Sequence, residues 1–230
     1  LWYQGCSDTN PGCAAVYTRR MKDLVRAVRR DFNQPRLPWA VVQIGRFLGG
    51  APEKEQSWNA IQDQQRRLPD VIPNLDVVPA ADLDLDDNIH ISGQAHARLG
   101  ARLARVMIRL ALGDRREKPA IRLRRVRLGS RLTMPSGRLY NGIEVTFDNV
   151  VGGLGAAGRP NGFVLTDENG NLIPNPIFKT TIAGNRVFLE CGVGVSMLEN
   201  FALHYGLGYD PYLNLTDSRD MAVPVFGPVS

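Results

Sequence analysis

The sequence predicts an α/β unit with a parallel sheet, followed by an all-β domain. Up to about Gly113, apolar runs alternate with amphipathic segments of helical period; a charged stretch, Asp114 to Pro119, then interrupts the chain; beyond it, alternation with a period of two takes over. Strand, helix, strand, helix order is the pattern of a sheet built by right-handed crossovers. The second half, with turn signals between short alternating runs, reads as a β-sandwich. The expected boundaries are 1–113, a linker at 114–119, and 120–230.

Leu1 to Gln4 reads as the end of a strand and Gly5 to Gly12 as a loop. Ala14 to about Arg30 reads as a helix with Val16, Met21, Leu24, Val25 and Val28 on one face; Arg19, Arg20, Arg26, Arg29 and Arg30 fall mostly off it and are expected in solvent. After Pro35 and Pro38, Trp39 to Ile44 is the near-continuous apolar run of a buried parallel strand. A helix from Ser57 through Trp58, Ile61 and Gln65 is expected to end before Pro69, and Asn74 to Val78 forms the next strand. Ser92 is placed to cap a helix through Ala97, Leu99, Leu103, Val106 and Leu110, which Gly113 stops. Strands are then expected at Ile121–Leu128, Ile143–Phe147, Gly162–Leu165, Ile177–Thr181, Arg186–Glu190 and Phe201–Tyr205, with turns at Asp167–Asn171 and Ala183–Asn185.

The 230 residues carry a formal charge of +5, spread over two regions without the interleaved aromatics of a single-strand binder, so a nucleic-acid partner is not expected. No apolar run approaches the roughly 20 residues of a membrane helix, and no membrane partner is expected. No signal peptide is visible, but the chain opens on Leu1-Trp2-Tyr3 without Met, and residues upstream are expected to have been lost, cleaved or placed on another chain. Cys6 and Cys13 flank a loop that could let them meet, leaving a disulfide open, while Cys191 is expected to be buried in a strand. His90, His96 and His204 have no partners at metal-ligand spacing, so neither a metal site nor an organic cofactor is expected.

Chemistry concentrates in Asp84-Leu85-Asp86-Asp87-Asn88-Ile89-His90, where a carboxylate stands three residues before an imidazole in a strand-to-helix loop. A neutral His takes a proton from a serine hydroxyl when one tautomer is enforced and the imidazolium is stabilised, which a neighbouring Asp does. Asp84 and Asp86 read as solvated loop acids, His96 as structural, and His204 as a packed or surface residue. Both this loop and Gln4-Gly5-Cys6-Ser7 fall at carboxyl ends of predicted strands, where ligands sit in such sheets.

Leu1-Trp2-Tyr3-Gln4-Gly5-Cys6-Ser7-Asp8 resembles the W-Y-Q-G-E-S-N/D block of sialate O-acetylesterases and related carbohydrate acetylesterases of the SGNH hydrolase superfamily. Asp87-Asn88-Ile89-His90, Gly93-Gln94 and Leu99-Gly100-Ala101-Arg102-Leu103-Ala104 resemble its D-x-x-H block and the helix after it. Gly162 to Leu165, Tyr209 to Leu215 and Val223 to Phe226 resemble segments of its β-domain, so the resemblance covers nearly the whole chain. It implies the C-terminal part of an SGNH-type, flavodoxin-like α/β domain, an acetylated carbohydrate as substrate, and a serine acetyl-enzyme. His90 takes the place of the general base, Asp87 of its orienting carboxylate, Gln4 of an amide helping to form the oxyanion hole, and Gly5 of a residue keeping the loop close to substrate. The family's Glu is Cys6 here, beside the oxyanion hole and off the nucleophile turn; Ser7 likewise corresponds to a residue that is not the nucleophile. The nucleophile serine is expected upstream, on a segment or partner chain absent from these residues. The competing expectation is a non-catalytic glycan- or protein-binding module on a degenerate esterase scaffold. Sugar-ester substrates and the Cys6/Cys13 pair lean towards an exported, secreted or periplasmic protein.

Overall fold

A computed structural model describes residues 1–51 and 54–230. It is a mixed α/β structure with several sheets whose strands are mostly antiparallel. Contacts divide it into two compact units: Leu1–Ala120 with Gly208–Asp210, and Ile121–Leu207 with Pro211–Ser230.

In the first unit a single 3-10 turn, Cys6–Asp8, precedes α1 (Pro11–Ala14), α2 (Tyr17–Asp31), β1 (Trp39–Gln43), α3 (Glu55–Val71), β2 (Leu75–Pro79) and α4 (Gly93–Leu112). β1 and β2 pair in parallel, with Val41 opposite Val77. Of the expected first strand, only Trp2 pairs: its N–H donates to Ala40 O at 2.9 Å and its carbonyl accepts from Val42 N at 2.8 Å, in a parallel bridge to Val41. Both strands are buried along their whole length, as their apolar composition requires. The core between sheet and helices holds Met21, Val25, Val41, Ile44, Trp58, Ile61 and Leu68.

The helix expected from Ala14 begins instead at Tyr17, and a separate short helix, α1, precedes it. Asn10 caps α1 by accepting from Cys13 N, and Val16, outside helical geometry, opens α2 at Tyr17. Arg29, expected in solvent, is buried and donates to the carbonyls of Leu37 and Pro73 at 2.8–3.0 Å. Its position one turn beyond Val25 puts it on the buried face, and carbonyl acceptors make the burial tolerable. α3 runs through Pro69 to Val71: a proline in the last turn forgoes one ladder bond, but Leu68 is wholly buried and Ile72 N still reaches Leu68 O at 2.8 Å. α4 begins and ends as its caps direct, with Ser92 Oγ accepting from Ala95 N and Gly113 left-handed at φ 69°.

The second unit contains β3 (Arg122–Thr133), β4 (Leu139–Asp148), β5 (Leu154–Ala156), β6 (Phe163–Thr166), β7 (Ile177–Ala183), β8 (Arg186–Cys191), the short helix α5 (Val195–Leu198), β9 (Ala202–Tyr205), β10 (Leu215–Asp217) and β11 (Phe226–Val229). Its antiparallel sheets have the orders β3-β4-β8-β7, β11-β9-β6 and β10-β5. Strands β5, β10 and β11 are too short or too rich in Gly and Pro to show alternation and were not legible from the sequence. Phe147 of the four-stranded sheet meets Phe226 of the three-stranded one at 6.3 Å between centroids, and Phe226 stacks on Tyr205. His204 is packed, with Nε2 3.0 Å from Thr166 Oγ1.

Candidate active site

The loop after β2 is built by its own backbone. Asp86 N donates to His90 O at 2.9 Å and Ser92 N to Asp84 O at 2.8 Å, while Leu85 and Ile91 form an isolated bridge. These bonds close Asp84 to Ser92 into a compact turn, and Ile89 anchors it by packing against the core. Within it Asp87 Oδ1 accepts from the backbone N–H groups of Ile89 and His90 at 2.8 and 2.7 Å. The other oxygen, Oδ2, lies 2.7 Å from His90 Nδ1. The carboxylate is therefore fixed before it orients the ring. Asp86 has a separate task, accepting from Gly93 N at 3.2 Å at the start of α4. His96 is exposed, its Nδ1 3.0 Å from Ser92 O.

Two backbone N–H donors and the imidazole hold Asp87 at a pKa of about 2, the bond from His90 N being the largest cause. With an unfolded value near 4, the contribution of Asp87 to stability is complete above about pH 4 and fades as pH falls towards 2. An NMR titration of the Asp87 carboxyl carbon is expected to show its midpoint near 2. A midpoint near 4 would mean the hydrogen bonds do not persist in solution.

The loop after β1 touches the His90 loop. Leu48 N donates to Asn88 O at 2.7 Å. That loop is held in turn by Gly208–Asp210, which belong to the same compact unit. Phe47 N donates to Tyr209 O at 2.9 Å, the Tyr209 hydroxyl donates to Ala51 O at 2.9 Å, and Phe47, Trp58 and Tyr209 form a ring cluster with centroids 5.4–5.7 Å apart. Arg46 pairs with Asp210 at 2.6 Å and reaches Leu83 O at 3.2 Å.

A buried amide network that the sequence did not reveal sits beneath these loops. Gln62 Nε2 donates to Ile44 O and Gly45 O at 3.0 and 3.1 Å, Gln43 Nε2 to Gln62 O at 2.8 Å, and Asn59 Nδ2 to Gln62 Oε1 at 2.9 Å. Gln65 accepts from Ile44 N at 2.8 Å and donates to Gln4 O at 3.0 Å and Tyr17 Oη at 2.9 Å. The network pairs backbone groups at the ends of two neighbouring strands that would otherwise be buried without partners. The available signal was three polar residues, Asn59, Gln62 and Gln65, at the spacing of the apolar face of α3.

Gln4 lies at the end of the Trp2 strand, and its side-chain amide donates to Asp8 Oδ2 at 2.8 Å. Gly5 is buried, with φ 151°, and a Cβ there would stand 2.8 Å from Gln65 Nε2 and 3.1 Å from Ile44 Cγ2. Gly5→Ala is expected to destabilise the protein by about 1–3 kcal/mol, measured by urea unfolding; a cost below about 0.5 kcal/mol would show that the loop relaxes freely. Cys6 and Cys13 are free thiols, and burial raises the pKa of Cys6, which opposes a nucleophilic role. Cys191 is buried, with its thiol pushed up to about 11. Ser7 is exposed within the 3-10 turn. Among the described residues no group of three or more His, Cys, Asp or Glu could hold a metal ion, and no helix is long and apolar enough to cross a membrane.

A loop that orients an imidazole by a fixed carboxylate at the carboxyl end of parallel strands has the geometry of a hydrolase base. Residues 1–109 match the family model described as carbohydrate esterase, sialic acid-specific acetylesterase, and the resemblance read from the sequence is borne out there. Residues 1–109 are thus similar to carbohydrate esterases. Almost the whole chain, 98%, superposes on a carbohydrate acetylesterase from Xanthomonas citri with a TM-score of 0.78 at 21% identity, which shows a shared fold. The chain spans about half of that protein, 49% of its length. A protein from Arabidopsis thaliana is 33% identical over 47% of this chain and 42% of its own, with a TM-score of 0.39. No curated protein matches.

Proposed function

We propose that these residues are the C-terminal portion of a carbohydrate O-acetylesterase of SGNH type, with a β-sandwich following the partial parallel-sheet domain. The nucleophile serine comes from a segment outside residues 1–230. The observation that carries the reading is the 2.7 Å contact of His90 Nδ1 with a carboxylate that its own loop has already fixed. An ionised Asp87 can only accept, so Nδ1 carries the proton and Nε2 presents its lone pair, the tautomer a general base needs.

In this reading His90 Nε2 takes the serine proton as Oγ attacks the acetyl carbonyl. The oxyanion of the tetrahedral intermediate is met by backbone N–H groups and an amide donor, for which Gln4 is the candidate through the hydrogen it does not give to Asp8. Collapse breaks the bond to the sugar oxygen, which recovers the proton from His90. Water, deprotonated by the same Nε2, then attacks the acetyl-enzyme, releasing acetate and regenerating the serine. Gly5 lets the loop pass over Ile44 and Gln65.

Two features support a further segment over this site. His90 and Asp87 have side chains 78% and 52% exposed, whereas a working base is usually shielded. Among the described residues no strand pairs with the outer edge of Leu1–Tyr3, since Trp2 spends both its peptide groups on β1. The test is hydrolysis of p-nitrophenyl acetate and of an O-acetylated sugar, first by residues 1–230 and then by the protein with its preceding segment. Activity only in the longer protein is expected. No activity in either would favour the binding-module alternative.

A further inference from the structure

The opposite end of the first unit carries a second feature that hydrolysis does not use. Helix α2 descends from the Gln4 end to the start of β1, and α3 to the start of β2, so the carboxyl ends of the two helices lie where the strands begin. Between them is a cavity of about 480 Å³ whose ten lining residues include Lys22, Val25, Arg26, Arg29, Arg30 and Ile72. Its size is within the roughly 300–1,000 Å³ of small-molecule sites. Four of the ten lining residues are cations and none is an acid.

Arg29 is the informative one. Its residue is 8% exposed, and Nε and Nη2 are satisfied by the carbonyls of Leu37 and Pro73, yet no carboxylate pairs with it and Nη1 makes no hydrogen bond among the described residues. Burial lowers its pKa, the signature of a guanidinium desolvated without a counter-charge. Arg26 and Arg30 are partly neutralised, by Asp23 at 3.1 Å and Asp31 at 3.0 Å, but those carboxylates do not line the cavity. Cations in the last turn of a helix also complement its dipole, which accounts for Arg30 and part of Arg29. It does not account for Lys22 or Arg26, which stand one to two turns earlier on the same wall, nor for a donor left unspent beside an empty volume.

Val25, Val71, Ile72, Pro35 and Pro73 supply an apolar wall beside the cations. We propose that this cavity binds an anion with an apolar body, of the class of a medium-chain aliphatic carboxylate, the head group taking Arg29 Nη1 and the flexible Lys22 and Arg26 while the chain lies on Val25, Val71 and Ile72. The site is separate from the His90 loop and stands whether or not the hydrolytic reading does.

The test is calorimetric titration of the intact protein with octanoate, inorganic phosphate and glucuronate at low ionic strength. Octanoate is expected to bind saturably, more tightly than phosphate or glucuronate, and to weaken as salt is raised. The double substitution Lys22→Ser with Arg26→Ser, both exposed, is expected to weaken octanoate at least about tenfold while leaving the unfolding midpoint unchanged. Arg29→Met is expected to abolish binding, and the exposed double variant keeps the test valid if Arg29→Met does not fold. Absence of saturable octanoate binding, binding indifferent to Lys22 and Arg26, or glucuronate or phosphate matching octanoate would each overturn the proposal.

Discussion

Under the hydrolytic reading proposed above, substitution of His90 by alanine in the protein with its preceding segment is expected to lower acetyl-ester turnover by about 10²-fold or more while leaving folding untouched. The first half follows from the loss of the proton acceptor whose ring Asp87 orients, a role worth about 10²–10⁴-fold. The second follows from exposure: the His90 side chain is 78% accessible, and its loop is held by backbone bonds from Asp86 and Ser92 that the ring does not share. Asp87→Asn separates orientation from mere presence. An amide at Oδ2 can present N–H to Nδ1, reversing the tautomer, so a loss of up to about 10⁴-fold is expected with little change in KM. Rates within a few-fold of wild type for His90→Ala would remove His90 from the mechanism. A large loss with a lowered unfolding midpoint would instead assign it to the fold.

Arg102→Met is expected to destabilise the first unit by about 3–5 kcal/mol. Arg102 is completely buried in α4 and grips Asp82, itself 6% exposed at the side chain, through two hydrogen bonds of 2.8 and 2.6 Å. Removing the cation leaves a carboxylate in the interior with only the longer, 3.6 Å ion pair of the partly exposed Arg98, a larger penalty than the Arg102 pair itself confers in stability. The double variant Arg102→Met with Asp82→Asn is therefore expected to recover much of the loss, because no buried charge remains. Trp2, Trp39 and Trp58, the three tryptophans of the chain, all lie in the first unit, so their fluorescence in urea reports on it directly. A single-variant cost below about 1 kcal/mol would show that water reaches Asp82. Asp82 stands between β2 and the His90 loop, so a loosened Asp82 is also expected to reduce turnover with no contact to substrate.

The same pair shows where reading the sequence stopped. Leu99 to Ala104 was recognisable as a block, but residue type does not distinguish Arg102 from the half-buried Arg105 and Arg109 of the same helix. Its partner lies 20 residues back, across a loop. Arg29 is a parallel case: charge predicts solvent, and only the carbonyls of Pro73 and Leu37 make its burial possible. The reverse holds for Asp87 and His90. A three-residue separation within a turn places both groups by short-range geometry, so the contact follows from the loop's own hydrogen bonds and needs little from the rest of the fold.

By itself, then, the sequence determined what is local: the caps of α4, the buried run of β1, the alternating strands β3, β4 and β6 to β9, and the carboxylate beside the imidazole. Periods and caps are set by backbone geometry within a few residues, which leaves a readable trace. Only the tertiary structure decided the start of α2 at Tyr17 with the separate short α1 before it, the continuation of α3 through Pro69, the burial of Arg29 and Arg102, and the amide network under the loops. It also decided that Gly208–Asp210, about 120 residues after His90, join the first unit and brace the loop that touches the His90 turn. These outcomes depend on which distant polar groups arrive to satisfy one another. A buried amide or guanidinium is stable only with its partners in place, and the partners are chosen by the fold.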